Sequence, residues 1–446
     1  MAILQFMLGL FGLGILVFIH EAGHFVAAKS LGITVEKFSL GWGKPIVSRK
    51  GKDGITYQLG AFPLGGFVMM KGETQFREAM AQGLKEFPFE PGSFFSAAPW
   101  KRIVIALAGP AVNLLFAIML FGFIYGIGYE FTSFPSKILL APGNTPALQA
   151  GLQDGDRITS LGGNSVQHFT DLQRIVSTNP ERRLSVTFER NGSSFETFIT
   201  PDLSPERGSG IIGVFPAVVP ILGSIPPGFI DQGLALGDQI IAVNGTPISF
   251  TRDLFQIVDQ SQGAITLDIL RNNQELNMVI IPDFSQDMTP LLPLGFQGSI
   301  YRTPELSLVQ SIQRGLDEVG ETLALTIRSL SLIVQGRNTN SAVSGPLRIS
   351  VMVGQAASVG FSQGISQGLR IISQFLAIIS VALAFGNLLP IPVLDGGQAL
   401  MYTYELVSRK PLTPKTITRF QTVGAALVLL LLVWALFSDV LFIFGR

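Results

Sequence analysis

The chain of 446 residues contains no cysteine, which excludes disulfide bonds, thiol nucleophiles and zinc sites built on cysteine. Histidine is nearly as rare, since His20, His24 and His168 are the whole set. Charged residues make up only 14% of the chain, whereas ordinary soluble domains carry about a quarter. No excess of positive charge points to a nucleic-acid partner, because Lys+Arg and Asp+Glu both total 31. The rarity of histidine limits any metal site to a few side chains.

Where charge is missing, the sequence stays apolar for long stretches. Residues 2–19, 103–128, about 371–394 and 421–438 form four such runs. Each run is long enough to cross a bilayer core of about 30 Å at about 1.5 Å per residue. The first run has no basic residue before it, which favours a retained span over a cleaved signal peptide. The sequence therefore predicts a polytopic membrane protein with four transmembrane α-helices.

Lysine and arginine predict how these spans are oriented, because cytoplasmic loops carry an excess of them. Basic residues cluster between the first and second runs and again between the third and fourth, where they are Arg409, Lys410, Lys415 and Arg419. Both loops are therefore expected on the cytoplasmic side. Both chain termini and the stretch from about 130 to 370 are then expected on the opposite side.

The sequence HEAGH at residues 20–24 is a HExxH motif at the end of the first apolar run. His20 and His24 are four positions apart, so a helix places them on one face, about 40° apart, where both reach one ion. Glu21 lies beside them and could take a proton from the attacking water. Ionisable side chains at the end of a membrane span are costly, so they indicate function more strongly here than in a soluble sequence. The motif predicts a zinc site.

A catalytic zinc ion takes three protein ligands and keeps one position open. His168 lies in the soluble stretch, so the predicted third ligand is Asp395, in NLLPIPVLDGG at 387–397. His20 and Asp395 both fall toward the cytoplasmic ends of their spans, and the prolines of this segment must interrupt the third helix before the aspartate. The expectation is one carboxylate and two imidazoles around one ion.

The stretch from about 136 to 285 contains an internal repeat. Residues 151–176 align without gaps to residues 233–258, and Gly151, Gly155 and Asp156 all recur 82 positions later. The pattern of a Gly-Asp turn, a short strand, a second glycine turn and an amphipathic helix resembles PDZ domains. Such domains bind peptide ends by strand addition, and two of them beside an active site could instead exclude bulky substrates. His168 is expected to be a surface residue of the first repeat.

Three motifs in order, HEAGH, GPAVN at 109–113 and NLLPIPVLDGG, resemble the site-2 protease family of intramembrane zinc metalloproteases. The order of spans, the two inserted repeats and the overall length resemble its bacterial regulator-of-sigma-E protease branch. The resemblance implies a protease with His20, His24 and Asp395 as zinc ligands and Glu21 as the catalytic acid/base. The family often has His or Arg after LDGG, whereas this chain has Gln398, to which no ligand role is assigned.

The same resemblance implies regulated intramembrane proteolysis of single-span proteins, such as anti-sigma factors and signal-peptide remnants. It implies a bacterial inner membrane, with the termini and repeats in the periplasm and the active site near the cytoplasmic face. It favours the repeats as a size filter and implies that Asn387 helps to bind the substrate backbone. Asn113, by contrast, is expected only to hydrogen-bond between helices.

Residues 55–70 read ITYQLGAFPLGGFVMM, two short strand-like runs around a proline and two glycines. This pattern predicts a β-hairpin, and its apolar character suggests that it dips into the membrane. One hypothesis is that the edge formed by Gly65, Gly66, Phe67 and Val68 pairs with an unwound substrate. The alternative is a hairpin that only packs on the helices.

The predicted division of the chain follows from these features. Residues 1–130 hold the first two spans and the hairpin, and residues 370–446 hold the last two spans. Two PDZ domains occupy 131–212 and 213–303, and an amphipathic region at 304–369 is expected along the outer membrane surface or against the repeats.

Two rival functions remain open. A metal transporter also places His and Asp in a membrane, but it needs ligands along a path, whereas those here share one depth. A non-enzymatic PDZ adaptor would keep its function without Glu21. The shared depth and the position of Glu21 favour a protease that requires Zn²⁺, acts on transmembrane substrates and needs no nucleic acid.

Overall fold

The computed structural model of the protein describes residues 2–84, 87, 89–204, 208–261, 263–284, 290–291, 293–335, 346–362 and 364–443. The chain divides into two compact units. The first unit, the membrane unit, combines Met1–Tyr129 with Thr303–Arg446, and the second, the repeat unit, is Glu130–Arg302. The repeat unit therefore interrupts the sequence of the membrane unit, as the apolar runs predict.

The helices are α1 (Ala2–Ser30), α2 (Glu73–Ala81), α3 (Pro99–Ile127), α4 (Pro146–Gln149), α5 (Phe169–Thr178), α6 (Pro227–Ile230), α7 (Thr251–Asp259), α8 (Leu308–Val334), α9 (Pro346–Ser362), α10 (Ile365–Leu388), α11 (Asp395–Ser408) and α12 (Pro414–Ile443). The strands are β1 (Val35–Lys50), β2 (Thr56–Met70), β3 (Glu130–Ser133), β4 (Ile138–Leu140), β5 (Arg157–Leu161), β6 (Asn164–Ser165), β7 (Leu184–Arg190), β8 (Ser193–Ile199), β9 (Asp202–Leu203), β10 (Gly210–Ile211), β11 (Val214–Pro216), β12 (Leu222–Ser224), β13 (Gln239–Val243), β14 (Thr246–Pro247), β15 (Ile265–Arg271), β16 (Gln274–Ile280), β17 (Asp283–Phe284), β18 (Pro290–Leu291), β19 (Gly295–Phe296) and β20 (Ser299–Arg302).

Helices long and apolar enough to cross a membrane confirm the four predicted spans. They are Phe6–Ser30, Pro99–Ile127, Ile365–Leu388 and Pro414–Asp439. The third has the length of the predicted 371–394 but begins and ends six residues earlier, because Leu389 is already extended and proline at 390 cannot continue a helix. Asp395 therefore begins a new helix, α11, instead of ending the third span.

The predicted hairpin within residues 55–70 is wrong. Those residues form most of β2, which pairs with β1, so the partner strand lies upstream. Both strands bend, and residues 37–40 lie between residues 56–59 on one side and 66–69 on the other. In this sheet, as far as the structure describes it, no further strand joins, so the outer side of residues 66–70 has no strand partner. The predicted free edge is present, although it belongs to a different hairpin.

Residues 304–369, which the sequence places along the outer membrane surface or against the repeats, contribute α8 and α9, and both pack on membrane-spanning helices. On α8, Val319 packs against Ala117 and Phe121 of α3. On α9, the Ser350 backbone lies so close to Gly9 of α1 that a side chain at position 9 would collide with it. Both helices are therefore parts of the membrane unit.

The repeat unit contains two four-stranded sheets of the same order, β6-β5-β7-β8 and β14-β13-β15-β16. Each sheet has one amphipathic helix, α5 or α7, whose apolar face enters the core through Leu172 or Leu254. The first core also includes Ile212 and Val214, and β11 pairs with β4 of the first repeat. The first repeat thus extends a few residues past 212, where the sequence places its end.

A buried aspartate in each repeat is held by an arginine. Asp156 is 1% exposed and accepts from Arg190 Nε and Nη2, each at 2.7 Å. Asp238 is 0% exposed and accepts from Arg271 at 2.6 and 2.7 Å. Each pair closes the Gly-Asp turn that identified the repeat, since the same arginine also bonds the carbonyl of the repeat's first glycine.

His168 is half-buried instead of lying openly on the surface of the first repeat. Its Nδ1 accepts a hydrogen bond from the Asp171 N–H at 3.3 Å, which caps α5. Its ring contacts Phe131 and Tyr301 at centroid distances of 4.8 and 5.0 Å. The residue has a structural role far from HEAGH in sequence.

Candidate active site

Helices α1 and α11 bring the three predicted ligand atoms together. Nε2 of His20 lies 3.2 Å from Nε2 of His24, and these atoms lie 3.0 and 3.5 Å from Oδ2 of Asp395. The two histidines face the same way because they are one helical turn apart on α1. Asp395 reaches them because the turn at 389–394 ends α10 and starts α11 beside α1. The distances of 3.0–3.5 Å match the edge of about 3.3 Å of a tetrahedron with bonds of about 2.0–2.1 Å, which is the geometry of zinc.

The hydrogen bond at the far side of His24 determines which of its nitrogens is free. Nδ1 of His24 lies 2.8 Å from the carbonyl oxygen of Ile105, so Nδ1 carries the proton and Nε2 keeps its lone pair. Oδ2 of Asp395 is buried and has no hydrogen-bond donor among the described residues. An oxygen and a nitrogen lone pair that face each other without a hydrogen between them fit a shared cation.

Asn113 lies at Nδ1 of His20, as the Ile105 carbonyl lies at Nδ1 of His24. The sequence did not reveal this contact. Its Nδ2 lies 3.2 Å from Nδ1 of His20, and its own Oδ1 is buried without a hydrogen-bond partner in the described part of the chain. A half-turn of the amide exchanges these two atoms. Coordination through Nε2 requires the proton on Nδ1, and in the turned orientation Oδ1 accepts it. Asn113 therefore contacts the imidazole of a predicted ligand in addition to joining helices, and the only sequence signal for this was its place in GPAVN.

Gly109 forms the wall behind the two imidazoles. A Cβ atom at this position would lie 2.9 Å from Cε1 of His20 and closer still to the ring of His24. Gly23 of α1 lies equally close to α3, because a Cβ atom on Gly23 would lie 2.6 Å from the carbonyl oxygen of Ala108. Glycines on both helices thus let α1 and α3 approach until backbone covers one side of the site.

A cavity of about 400 Å³ opens on the other side of the three ligands. Its lining includes five further residues singled out in the sequence: Glu21, Gly66, Phe67, Val68 and Asn387. A Cβ atom on Gly66 would lie 3.0 Å from Cγ of Glu21. The free strand edge therefore runs beside the residue expected to handle the proton.

Gly65 has a different place from its neighbours. It adopts a positive φ of 91°, and a side chain there would collide with the indole of Trp42. The residue is absent from the part of the cavity lining that the structure describes, so it shapes the bend of the strand instead of facing the ligands. Trp42 itself lines the cavity and was not singled out in the sequence, where it stands between two glycines.

A buried ion pair fixes α11 to α3. Nη2 of Arg102 lies 2.7 Å from Oε1 of Glu405, with side-chain exposures of 5% and 10%. The guanidinium also stacks 4.9 Å from the ring centre of Tyr402. Because Asp395 is at the start of α11, this pair restrains the helix that carries the third ligand. Sequence reasoning used Arg102 only as a basic loop residue.

These features match a known family. The model of peptidase family M50 matches residues 8–431 of this chain. The chain belongs to peptidase family M50. A putative zinc metalloprotease of Treponema pallidum is 33% identical over 449 residues, which cover 99% of this chain and 100% of that protein. The regulator of sigma E protease of Haemophilus influenzae is 30% identical over 450 residues, covering 96% of this chain and 97% of that protein.

Membership of the family confirms three predictions about this M50 peptidase. It is an enzyme, its class is zinc metalloprotease, and its cofactor is Zn²⁺. With its four apolar helices, the peptidase is a multi-pass protein of the inner membrane. Among solved structures, the PDZ domain of an SdrC-like protein from Listeria monocytogenes is 16% identical, covers 19% of this chain and has a TM-score of 0.17, which is too low to support an argument.

Proposed function

We propose that this peptidase cuts transmembrane segments of single-span proteins inside the membrane. The observation that supports this most directly is the meeting of His20, His24 and Asp395 beside the free edge of β2. A helix in lipid keeps its peptide groups bonded and shielded, so a protease has to extend it before water can attack. A free strand edge next to the ligands supplies the lost hydrogen bonds.

In this proposal Nε2 of His20, Nε2 of His24 and Oδ2 of Asp395 hold the zinc ion. The ion supplies Lewis-acid polarisation of the scissile carbonyl and of the attacking water. Glu21 takes the proton from that water and gives it to the leaving amine. Ile105 and Asn113 keep both imidazoles in the tautomer that leaves Nε2 free. The wall at Gly109 excludes water from the far side.

Residues 66–70 hold the substrate backbone, with Phe67 and Val68 at the cavity and Asn387 opposite them. Gly66 lets the substrate come near Glu21, because a larger residue would fill that space. Gly65 contributes the bend that exposes this edge. The edge thus serves as a template for an extended peptide, and the ligands act on the peptide bond that lies beside Gly66.

The two repeats act as tandem PDZ domains that exclude substrates with large outer domains. The repeated sheet order and the paired helices α5 and α7 support this assignment. Arg252 of the second repeat donates to Asp154 Oδ2 at 2.6 Å and to the Leu140 carbonyl at 3.1 Å, both in the first repeat, so the two move together. Anti-sigma-factor-like proteins and signal-peptide remnants are the expected substrates, with the repeats and termini periplasmic and the site near the cytoplasmic face.

The central test is Glu21→Gln in the purified full-length protein, with a model single-span substrate. We expect cleavage to fall by about 10²–10⁴-fold while zinc content stays at one per chain. Glu78→Gln, on an exposed position of α2, is the matched control and should cut normally. Full cleavage by the Glu21 variant overturns the proposal. Zinc flux into vesicles without cleavage would favour a transporter, and substrate binding without cleavage by the unaltered chain would favour an adaptor.

The strand edge is tested separately with Phe67→Pro and Val68→Pro. Successive N–H groups of a strand point to opposite edges, so only one of these prolines removes an outward donor. That variant should lose most cleavage with normal zinc content, and the other reports the cost of losing a bond within the sheet. Equal activity in both variants and the unaltered chain removes the edge from the mechanism.

A further inference from the structure

A second cavity, of about 460 Å³, lies beyond the ligands at the end of β2. It is bounded by Arg77 of α2, Tyr402 of α11 and Gln421 of α12. It shares four lining residues with the catalytic cavity, namely Val68, Met70, Phe94 and Gln398. Because the two linings overlap, the cavities form one groove, which we call the distal groove where it passes Gln421. Its volume is within the usual range of ligand-holding clefts.

The free edge of β2 runs along this whole groove. Gly66 is beside Glu21, and Val68, Met69 and Met70 line the distal part. A strand advances about 3.3 Å per residue, so the four steps from Gly66 to Met70 cover about 13 Å. A peptide paired with this edge at the catalytic residues therefore continues into the distal groove about three to five residues from the cut bond.

The walls of the distal groove are already in place. Phe76 of α2 stacks on Phe95 at 5.2 Å between ring centres, and Thr418 of α12 donates to the sulfur of Met80 at 3.3 Å. These contacts fix α2 against the loop before α3 and against α12. A groove held by packed aromatic rings keeps its shape without a ligand, which lowers the entropy cost of binding.

The lining suits an extended peptide with a bulky side chain. The half-buried rings of Phe94 and Phe95 offer apolar surface, and the amides of Gln398 and Gln421 can donate to and accept from peptide groups. Arg77, which is exposed at the rim, disfavours a basic side chain and favours an acidic or neutral one. The chemistry is therefore that of a peptide subsite instead of a lipid or small-ion site.

We propose that the distal groove is a specificity subsite, which binds in extended form the substrate residues about three to five positions from the scissile bond. The proposal rests on the proposed function, because the occupant is the same unwound segment. It adds a second requirement to cleavage. The substrate must unwind past the cut site, and its distal side chain must fit the groove that Phe94 and Gln421 help to line.

Disulfide crosslinking tests this proposal directly. Because the chain contains no cysteine, an introduced cysteine is its single thiol. In the full-length Glu21→Gln background, Gln421→Cys is oxidised with substrates that carry one cysteine at successive positions around the cut site. Disulfide formation should peak at a position three to five residues to one side. Phe67→Cys reports pairing at the edge, and Val407→Cys, which is 77% exposed on α11, is the control for random collision.

The outcomes separate the two proposals. Crosslinks at 67 and at 421, each with its own substrate positions, support both. Crosslinks at 67 with none above the Val407 control at 421 overturn the subsite and leave the proposed function standing. An absence of crosslinks at both positions, together with full cleavage by the Glu21→Gln variant, overturns the proposed function itself.

A filling variant gives an independent readout in the active protein. Gln421→Trp should lower cleavage at least tenfold for a substrate with a large side chain at the crosslinked position, and much less when glycine stands there. Zinc content should not change, and Val407→Trp should cut both substrates normally. Equal losses for both substrates would mean that the variant damages the fold and would overturn the selectivity assigned to the groove.

Discussion

Two aspartates in this protein have opposite surroundings. In the second repeat, the buried Asp238 meets a guanidinium that donates to both of its oxygens. In the membrane unit, the half-buried Asp395 faces two imidazole nitrogens that keep their lone pairs, and its Oδ2 has no donor among the described residues. A carboxylate that already has its cation holds the fold together, whereas one that lacks it fits the proposed metal site.

Among variants that test this comparison, we expect Asp395→Asn to have the largest effect, on zinc binding and cleavage. The amide is a poorer ligand, so zinc affinity should fall by more than the 10–100-fold that is typical of residues behind the ligands, and cleavage should stop. The zinc-free protein should keep its stability within about 0.5 kcal/mol, because no internal ion pair is broken. Zinc is measured by elemental analysis and stability by thermal unfolding. A large loss of stability without zinc would mean that Asp395 is structural.

Arg271→Met should have the opposite effect, a loss of stability with unchanged zinc content. Removing Arg271 leaves the buried Asp238 carboxylate without two charge-assisted hydrogen bonds, which costs about 1–3 kcal/mol because the arginine is itself 31% exposed. Hydrogen exchange of residues 233–280 in the full-length protein should accelerate accordingly, with zinc content unchanged. Arg190→Met is the matched variant and should affect residues 151–199 in the same way. Exchange that is unchanged in both variants would contradict the structural role of the pairs.

Asn113→Ala tests whether the imidazoles need their partners. Loss of a residue that orients a ligand typically lowers metal affinity by about 10–100-fold. Competition with a chelator measures this, and Asn164→Ala, at an exposed turn of the first repeat, serves as the control. If zinc affinity stayed within about twofold, Asn113 would have only the helix-joining role predicted from the sequence.

The smallest expected effect is a loss of stability of the second repeat at acid pH. Burial raises the pKa of the Asp238 carboxyl, but hydrogen bonds from Arg271 and from the Ala235 N–H outweigh it and hold the pKa below its usual range. A carboxyl whose pKa is lowered by folding contributes stability above its unfolded pKa of about 3.9, and this stability is lost as the pH falls through the folded value. Exchange in residues 233–280 should therefore accelerate below about pH 4, and Asp238→Asn should weaken that dependence. An unaltered pH dependence in the variant would assign it to another group.

The grouping of the three candidate ligands could be predicted from the sequence because each is tied to a short local signal. His20 and His24 share one helical turn, and Asp395 stands in a segment whose prolines and glycines had to end a span. The fold around Asn113 could not be predicted in the same way. Its contact with His20 depends on how closely α1 and α3 approach. Gly23 and Gly109 permit this close approach, but their presence in the sequence does not predict it.

The sheet of β1 and β2 shows where local patterns mislead. Residues 55–70 are apolar and contain turn residues, so they suggested a hairpin of their own. Their partner strand is β1, which includes Lys37, Lys44 and Lys50 and therefore lacks the apolar pattern that predicts a membrane strand. The sequence of one strand does not determine which other strand it pairs with. The helices that α8 and α9 pack against could not be predicted for a similar reason, because the pattern of an amphipathic helix does not show which neighbour covers its apolar face.

The glycine at position 109 also has a stereochemical consequence. Backbone lies behind the imidazoles, so in the proposed mechanism the substrate would arrive from the side that contains the strand edge. A peptide aligned by that edge presents the same face of its carbonyl each time. Attack would then always build the tetrahedral carbon with one handedness, a constraint imposed by the lack of a single methyl group.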